Sequence, residues 1–223
     1  MNVFFFSLIV LLIYMTTIFG LALWLKDNSI VDVAYGLAFV LTCSSAFLVY
    51  GEGHVRQWLV VSLITIWGLR LACHIFLRKQ GEGEDFRYRQ WREEWGDTFI
   101  WRSFLQIFIL QGTVIFLVAL PALLVINNPG ARLGAFDLAG LLVWLIGFGF
   151  EAIGDWQLLS FKRKSENRGK IIQNGLWRYT RHPNYFGEAV LWWGLFLIAL
   201  KVPYGAVAVL SPLLIDFLLL KVS

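Results

Sequence analysis

Long apolar runs alternate with polar stretches along the whole chain. A helix needs about 20 mostly apolar residues to cross the hydrocarbon layer of a membrane. Seven runs reach or approach this length, and we predict one all-α, polytopic membrane domain over residues 1–223. The seven predicted transmembrane helices are residues 3–25, 30–50, 57–77, 104–126, 136–161, 185–200 and 204–220.

Two polar stretches are longer than the other connections between the predicted spans. Residues 78–102 and 162–182 are rich in charged side chains, and we predict loops there. Pro183 follows the second stretch and suits the first turn of the sixth helix, where its missing N–H costs nothing. Asn127-Asn128-Pro129-Gly130 has the composition of a turn and ends the fourth span.

The composition excludes several classes of protein. Of 223 residues, 58% are hydrophobic and 15% are charged, whereas soluble domains have about 45–50% apolar and about 25% charged residues. A soluble domain and a nucleic-acid module are therefore excluded. The two cysteines, Cys43 and Cys73, lie inside apolar runs without metal-ligand spacing, so we predict no metal site.

The basic residues predict an orientation. If the N-terminus is outside, fifteen of the nineteen Lys and Arg residues fall on the inner side and three on the outer side, with Arg70 inside a span. Cytoplasmic loops of membrane proteins carry such an excess of positive charge. We therefore predict that the N-terminus lies outside the membrane and the C-terminus on the cytoplasmic side.

Ionisable side chains occur inside five of the predicted spans. Such groups are costly in a membrane and often mark a functional site. Internal ion pairs or side chains that reach the interface are the alternative explanation, and a transporter would use the same charges for an ion path. Because the charges cluster toward the inner side, we favour a polar cavity open to the cytoplasm. The residues are Asp32, Arg70, His74, Glu151, Asp155, Glu188 and Asp216.

The segment from Lys162 to Glu188 combines cations with aromatic rings. Five cations between Lys162 and Lys170 form a cluster suited to phosphate, and the helix that starts near Pro183 offers free N–H groups to an anion. Arg178 and Arg181 add guanidinium groups that suit a pyrophosphate. A basic loop with aromatic anchors at the membrane surface is the alternative interpretation. Flat rings for a nucleotide base are present at Trp177, Tyr179 and Tyr185.

The order of residues within this segment carries a resemblance. Residues 175–188, GLWRYTRHPNYFGE, resemble the G-L-x-x-Y-x-R-H-P-N-Y-x-G-E signature of membrane proteins with a steroid 5-alpha-reductase C-terminal domain. The signature occurs in looser form in isoprenylcysteine carboxyl methyltransferases. The pieces VDVAYG at 31–36, WGLR at 67–70 and FEAIGD at 150–155 are similar to the bacterial, uncharacterised branch of the reductase group. This resemblance implies a protein of a bacterial inner membrane, with its active site facing the cytoplasm.

The resemblance implies an intramembrane reductase that holds NADPH and reduces an activated C=C bond of a lipid-soluble, steroid- or enone-like substrate. Matched by position, Glu151 and Asp155 contact the adenosine or ribose side, Lys162 and Lys170 meet the phosphates, and Asn184 and Glu188 lie beside the nicotinamide. A 2′-phosphate accounts for several cations in one loop. The implied cofactor residues are Glu151, Asp155, Lys162, Lys170, Tyr179, Arg181, His182, Asn184 and Tyr185.

Two departures from the family pattern concern the proton donor and the C-terminus. The steroid reductases polarise the substrate carbonyl with a Glu–Tyr pair, and Trp67 stands at the tyrosine position here. We expect Asp32, Tyr35 or His74 to supply the acid instead, with Glu188 as a further catalytic residue. Relatives carry a cytoplasmic tail after the last span, whereas this sequence ends at residues 220–223.

Two other functions remain open at the level of sequence. A methyltransferase that uses S-adenosylmethionine shares the R-H-P-x-Y-x-G-E pattern, although it needs no site for a 2′-phosphate. A non-catalytic membrane protein that binds or transports lipid is the third possibility. For the reductase, the expected partners are a lipophilic small molecule and membrane lipid, without nucleic acid.

Overall fold

The structure is a computed structural model that describes residues 2–81, 83–128, 130 and 132–221. Within these ranges it is helical and contains no strands, which confirms the all-α prediction. Among the described residues, five helical stretches are long and apolar enough to cross a membrane. The count of seven spans, the orientation and the single domain stay predictions. The five stretches are Val3–Leu25, Ile30–Tyr50, Val55–Lys79, Phe86–Val118 and Ala135–Lys162.

The chain divides into two compact units, Met1–Ala119 and Leu120–Ser223. The first unit begins with three long helices whose positions agree with the predicted spans. They are α1 (Val3–Leu25), α2 (Ile30–Tyr50) and α3 (Val55–Lys79). Lys26 ends α1 in the left-handed conformation, and Asn2 caps its start by accepting a hydrogen bond from Phe5 N–H over 2.9 Å. The bounds of α1 and α2 are those that the apolar runs predicted.

Helices α2 and α3 pack through their backbones. A Cβ on Gly68 would lie 2.6 Å from the carbonyl oxygen of Gly36, and a Cβ on Gly36 would collide with the carbonyl oxygen of Gly68. Small residues allow this close approach between helices in a membrane, where tight packing stabilises association. Trp67, next to this contact, is buried against Phe39 and Tyr35.

The prediction of a loop at residues 78–102 is wrong over most of this stretch. A polar helix, α4 (Phe86–Trp95), occupies its centre, and helical backbone continues to Val118 through a 3-10 turn at Gly96–Thr98 and a π-helical segment at Phe104–Ile109. Asp85 caps α4, because its carboxylate accepts the backbone N–H of Arg87 over 3.0 Å. The remaining parts are α5 (Phe99–Ser103) and α6 (Leu110–Val118).

The fourth predicted span, residues 104–126, is interrupted at Ala119, so its prediction as one helix is wrong. Pro121 has no N–H to donate to the carbonyl of Leu117, and its ring crowds that carbonyl. A new helix, α7 (Leu120–Asn127), starts after the break. Pro129 of the predicted turn lies outside the described residues.

The second unit contains α7 and three further helices. Pro183 occupies the first turn of its helix, as predicted. The last predicted span, residues 204–220, begins instead as a 3-10 segment at Gly205–Val209. Residues 222–223 of the predicted C-terminus lie outside the described residues. The three helices are α8 (Ala135–Lys162), α9 (Pro183–Ala199) and α10 (Leu210–Lys221).

Helices α8 and α9 form the closest pair in the second unit. A Cβ on Gly140 would lie 2.6 Å from Gly194 O, and a Cβ on Gly147 would lie 2.6 Å from Gly187 O. The glycines recur every seven residues on both helices, so two turns of each helix separate successive contacts. This spacing keeps the two backbones in contact toward the start of α9, where Gly154 meets the backbone of Asn184.

Candidate functional site

Two buried carboxylates lie one turn apart on α8. Glu151 is only 3% exposed to solvent, and Asp155 is only 8% exposed. Asn184, in the first turn of α9, donates a hydrogen bond from Nδ2 to Asp155 Oδ1 over 3.1 Å. Buried carboxylates need hydrogen-bond partners to offset the loss of water. The structure therefore brings three predicted cofactor residues together around the start of α9.

The absence of a side chain at Gly187 explains why α9 comes so close to this carboxylate pair. A Cβ at Gly187 would collide with the backbone nitrogen of Glu151, and a Cβ at Gly154 would lie 3.1 Å from the backbone nitrogen of Asn184. Glu188, the next residue on α9, is half-buried. The predicted residues on α8 and α9 are thus positioned by backbone contact between the two helices.

The segment before α9 is attached to α8 by two hydrogen bonds. Leu176 N–H donates to Gln157 Oε1 over 2.9 Å, and the indole N–H of Trp177 donates to Gly154 O over 3.0 Å. Gly175 precedes them with φ +59°, a left-handed conformation that glycine adopts without strain. The signature segment therefore follows the surface of α8 rather than extending as a free loop.

The aromatic residues of this segment have different surroundings. The His182 ring stacks on Tyr185, with 4.9 Å between centroids and 16° between planes. Trp177 is half-buried by its contact with α8. Tyr179 is 83% exposed and Arg181 is also exposed. Trp177 also meets His182 edge-on, with 6.5 Å between centroids, so His182 contacts two aromatic rings of this segment.

Three cations line one cavity of about 440 Å³ at the end of α8. They are Lys162, Arg168 and Lys170, and the walls include Phe161 and Ile172. Among the described residues, no carboxylate forms an ion pair with any of these cations. The structure thus places three of the five cations of the predicted cluster, Lys162, Arg168 and Lys170, around one cavity. The cavity has the positive charge that a phosphate-bearing ligand requires.

A second cavity, of about 400 Å³, shares Phe161 and Asn167 with the first in its lining. Trp156, Lys164 and Glu166 contribute to its lining. Asn167 is held in place at both cavities, because its Nδ2 donates to the carbonyl oxygen of Phe161 over 2.9 Å.

The remaining predicted catalytic residues lie in the first unit. Asp32 accepts a hydrogen bond from the Tyr88 hydroxyl over 2.7 Å, and Arg87 Nη2 approaches its other oxygen at 3.5 Å. Tyr35, one turn further along α2, makes edge contacts with Phe39 and Trp67. His74 on α3 is half-buried.

Sequence reasoning missed Tyr88 and Arg87, because they lie in the stretch predicted to be a loop. The signal in the sequence was the density of charged residues between Glu84 and Arg92. Glu84 accepts hydrogen bonds from Arg92 Nη2 over 2.7 Å and from the backbone N–H of Asn28 over 2.9 Å. Glu84 thus links Arg92, in the last turn of α4, to the turn between α1 and α2.

The predicted site residues therefore divide between the two units. Asp32, Tyr35 and His74 belong to Met1–Ala119, whereas Glu188 and all nine predicted cofactor residues belong to Leu120–Ser223. Their catalytic and cofactor roles stay predictions.

Comparison with known proteins places the chain in a family. Residues 18–223 match the model of DUF1295, described as a protein of unknown function. The chain belongs to the DUF1295 family. This family is part of the steroid 5-alpha-reductase superfamily, which confirms the resemblance carried by residues 175–188; the bacterial branch stays a prediction.

The relatives of this DUF1295 protein differ in how much of the chain they match. An uncharacterized protein of Schizosaccharomyces pombe is 26% identical over 93% of this chain and 66% of its own length. The 3-oxo-5-alpha-steroid 4-dehydrogenase 1 of Bos taurus is 35% identical over 33% of this chain and 29% of its own length. Steroid 5-alpha-reductase DET2 of Gossypium hirsutum is 37% identical over 26% of this chain and 22% of its own length. No solved structure matches.

In this DUF1295 protein, the second unit has the groups needed to bind a polar, phosphorylated ligand. The cations around the 440 Å³ cavity can bind anionic oxygens, and the pair Asp155–Asn184 can bind hydroxyl or amide groups. The first unit has a carboxylate that is hydrogen-bonded to a phenol. Such a pair can donate or accept a proton.

Proposed function

We propose that this DUF1295 protein is a membrane reductase that uses NADPH to reduce an activated C=C bond of a lipid-soluble, steroid- or enone-like substrate. The observation that carries the proposal is the cavity with Lys162, Arg168 and Lys170 in its wall. Membership of the superfamily and the short matches to steroid reductases support the reaction class. A reductase that acts on C=C bonds agrees with the cationic cavity and with membership of this superfamily.

The cations fit the phosphates of NADPH. The cofactor has a pyrophosphate and a 2′-phosphate, whereas NADH lacks the second of these. Lys162, Arg168 and Lys170 have no ion-pair partner among the described residues, so their charges are available for a ligand. Hydrogen bonds between ionised groups are about twice as strong as neutral ones, and guanidinium adds bidentate geometry.

Asn184 is a second residue whose surroundings fit bound NADPH. Its Oδ1 is buried and has no hydrogen-bond partner among the described residues, while its Nδ2 is bonded to Asp155. An unsatisfied buried acceptor costs about 1–3 kcal/mol. A hydroxyl or amide donor on the cofactor removes that cost, so Asn184 fits a role in orienting the bound group beside the α8–α9 contact.

In this proposal, residues of the chain bind and orient the cofactor and supply the proton. Lys162 and Lys170 bind phosphate oxygens, and Glu151 and Asp155 accept hydrogen bonds from the sugar. When bound, NADPH supplies the hydride. Reduction of an enone also needs a proton at the α-carbon, and the candidates that we propose for this acid are Asp32, Tyr35 and His74 of the first unit and Glu188 of the second.

We also propose seven spans, with the N-terminus outside and the active site facing the cytoplasm of a bacterial inner membrane. The excess of basic residues on the predicted inner side supports this orientation. The bond from Asn28 N–H to Glu84 supports it as well, because it joins the connection after α1 to the connection after α3 at one end of the first unit. An alternating topology requires these two connections to share a side.

Titration of the detergent-purified protein with NADPH, NADH and S-adenosylmethionine tests the function. We expect tight binding of NADPH and weaker binding of NADH. The double variant Lys162→Gln/Lys170→Gln should lower NADPH affinity about 100-fold if each lost ionic hydrogen bond contributes about 1.5 kcal/mol. Arg163→Gln is the matched control, since Arg163 is an exposed cation of the same loop that lines neither cavity.

Three outcomes decide between the functions. Equal loss of affinity in the control and the double variant contradicts the assigned cavity. Binding of S-adenosylmethionine alone identifies a methyltransferase and overturns the reductase proposal. Absence of binding for all three ligands favours the non-catalytic lipid-binding alternative.

A further inference from the structure

A cavity of about 350 Å³ lies among the three long helices of the first unit. Eight of its eleven lining residues are apolar or aromatic, including Ile18 on α1, Val33 and Leu37 on α2, and Phe76 on α3. Leu37 and Phe76 are also exposed. Because both lie on helices long enough to cross a membrane, the cavity opens toward lipid. Its walls therefore suit a hydrocarbon chain.

One end of the cavity is polar and is formed by Asp27, Lys79 and Gln80. Lys79 Nζ lies 3.5 Å from Asp27 Oδ2 and also donates to the Ser29 hydroxyl. The Lys79 side chain is only 16% exposed, so water reaches it poorly. An ammonium has three N–H donors. These contacts use two of them among the described residues, so one donor is left for a ligand.

The charges around this end favour an uncharged head group. Asp27 already pairs with Lys79, and Arg87 pairs with both Asp85 and Asp32. Among the described residues, these ion pairs contain three carboxylates and two cations, a formal net charge of −1, and the neighbouring pair Glu84–Arg92 leaves this balance unchanged. A phosphate or carboxylate head group would add a negative charge beside these carboxylates. A hydroxyl or carbonyl oxygen can accept the remaining Lys79 proton without that repulsion.

We propose that this cavity binds one single-chain, uncharged lipid whose hydroxyl or ester oxygen accepts a hydrogen bond from Lys79. The hydrocarbon chain packs against Ile18, Val33 and Phe76. The site lies entirely within Met1–Ala119 and does not depend on the proposed reductase function.

Photolabelling of the protein in phosphatidylcholine nanodiscs tests the site. The probe is a monoacylglycerol with a diazirine near the end of its chain, and the labelled residues are identified by peptide mass spectrometry. We expect labels on the cavity walls at Ile18, Val33 or Phe76. Leu37→Trp should lower this labelling about tenfold, because an indole fills the space that the chain needs. Leu41→Trp is the matched control, since Leu41 is exposed one turn along α2 and does not line the cavity.

Competition distinguishes an uncharged head group from an anionic one. Unlabelled monoacylglycerol should displace the probe about tenfold more effectively than a fatty acid of the same chain length. The reason is that the surrounding carboxylates repel the ionised fatty acid but not the uncharged lipid. Equal competition by the fatty acid overturns the uncharged assignment. Unchanged wall labelling in Leu37→Trp overturns the site. Because no step uses a nucleotide, failure of NADPH binding leaves this result intact.

Discussion

The hydroxyl of Tyr88 donates a hydrogen bond to Asp32 Oδ1 over 2.7 Å. Tyr88 is buried in α4, and Asp32 lies in the first turn of α2. Arg87, the preceding residue of α4, approaches the second oxygen of the same carboxylate at 3.5 Å. Two consecutive residues of α4 therefore hold one carboxylate of α2, which limits the directions in which Asp32 can exchange a proton.

Tyr88→Phe should reduce the stability of the first unit. The variant keeps the aromatic ring but leaves Asp32 without its closest donor, and a hydrogen bond to a charged group contributes about 1.5–3 kcal/mol. We expect a loss of that size in the free energy of unfolding, measured by denaturant titration in detergent. Tyr179→Phe makes the same chemical change at a residue that is 83% exposed and should have no effect. Equal stability of Tyr88→Phe and the native protein would show that the bond is not formed.

Gly147→Ala should weaken the contact between α8 and α9. The added Cβ would lie 2.6 Å from Gly187 O, and neither backbone can move without disturbing the helix pair. Overpacking of this kind costs about 1–3 kcal/mol. Gly149→Ala is the control on the same helix, because nothing lies within 4 Å of its added Cβ. Since alanine is the better helix former, the control should be neutral or stabilising, and a loss in both variants would contradict the packing.

Asp85→Ala should loosen the start of α4. The Asp85 carboxylate caps this helix through the backbone N–H of Arg87, and loss of such a cap costs about 1 kcal/mol. Hydrogen exchange of the amides of Arg87 and Tyr88 measures the effect locally. Asp85→Asn keeps a capping oxygen and should retain most of the protection.

The contribution of Asp85 should also depend on pH. Burial raises the pKa of its carboxyl, but the hydrogen bonds and charge of Arg87 lower the pKa by more, so it lies below the ordinary value of 3.8. The folded chain therefore binds this proton less readily than the unfolded chain does. The stabilisation is complete above the ordinary pKa and is lost as the pH falls through the lower, folded value. Asp85→Asn should remove this part of the pH dependence, and an unchanged profile would contradict it.

Asn184→Ala should weaken NADPH binding. The variant removes the buried acceptor that we assign to the cofactor and also the donor to Asp155. Loss of one such hydrogen bond corresponds to about a tenfold change in the dissociation constant. Gln173→Ala is the control, because Gln173 is exposed and lines neither cavity of the second unit. Unchanged affinity in Asn184→Ala would remove Asn184 from the site.

Long apolar runs made α1 and α2 predictable to their end residues. The length of an apolar run and the residues that end it are local properties, so no partner helix is needed to locate such a span. Pro183 was predictable for the same reason, since a proline in a first turn depends only on its own backbone. The motif in residues 175–188 was likewise sufficient to identify the superfamily.

Polar helices and breaks inside apolar runs were not predictable in the same way. Helix α4 is polar, and its side chains bond to distant parts of the chain, as Tyr88 does to Asp32. The charged composition of residues 78–102 is typical of a loop, so composition alone did not predict this helix. In the fourth predicted span, Pro121 marked the break, but apolar residues on both sides concealed it.

By itself, the sequence determined the all-helical membrane fold, the family and the cations that a phosphate site needs. Only the tertiary structure showed which three of the five cations, Lys162, Arg168 and Lys170, line one cavity, and only it paired Tyr88 with Asp32. The physical reason is the difference between local and distant interactions. Membrane insertion depends on a continuous run of side chains, whereas a binding cavity depends on residues that packing brings together from separate segments.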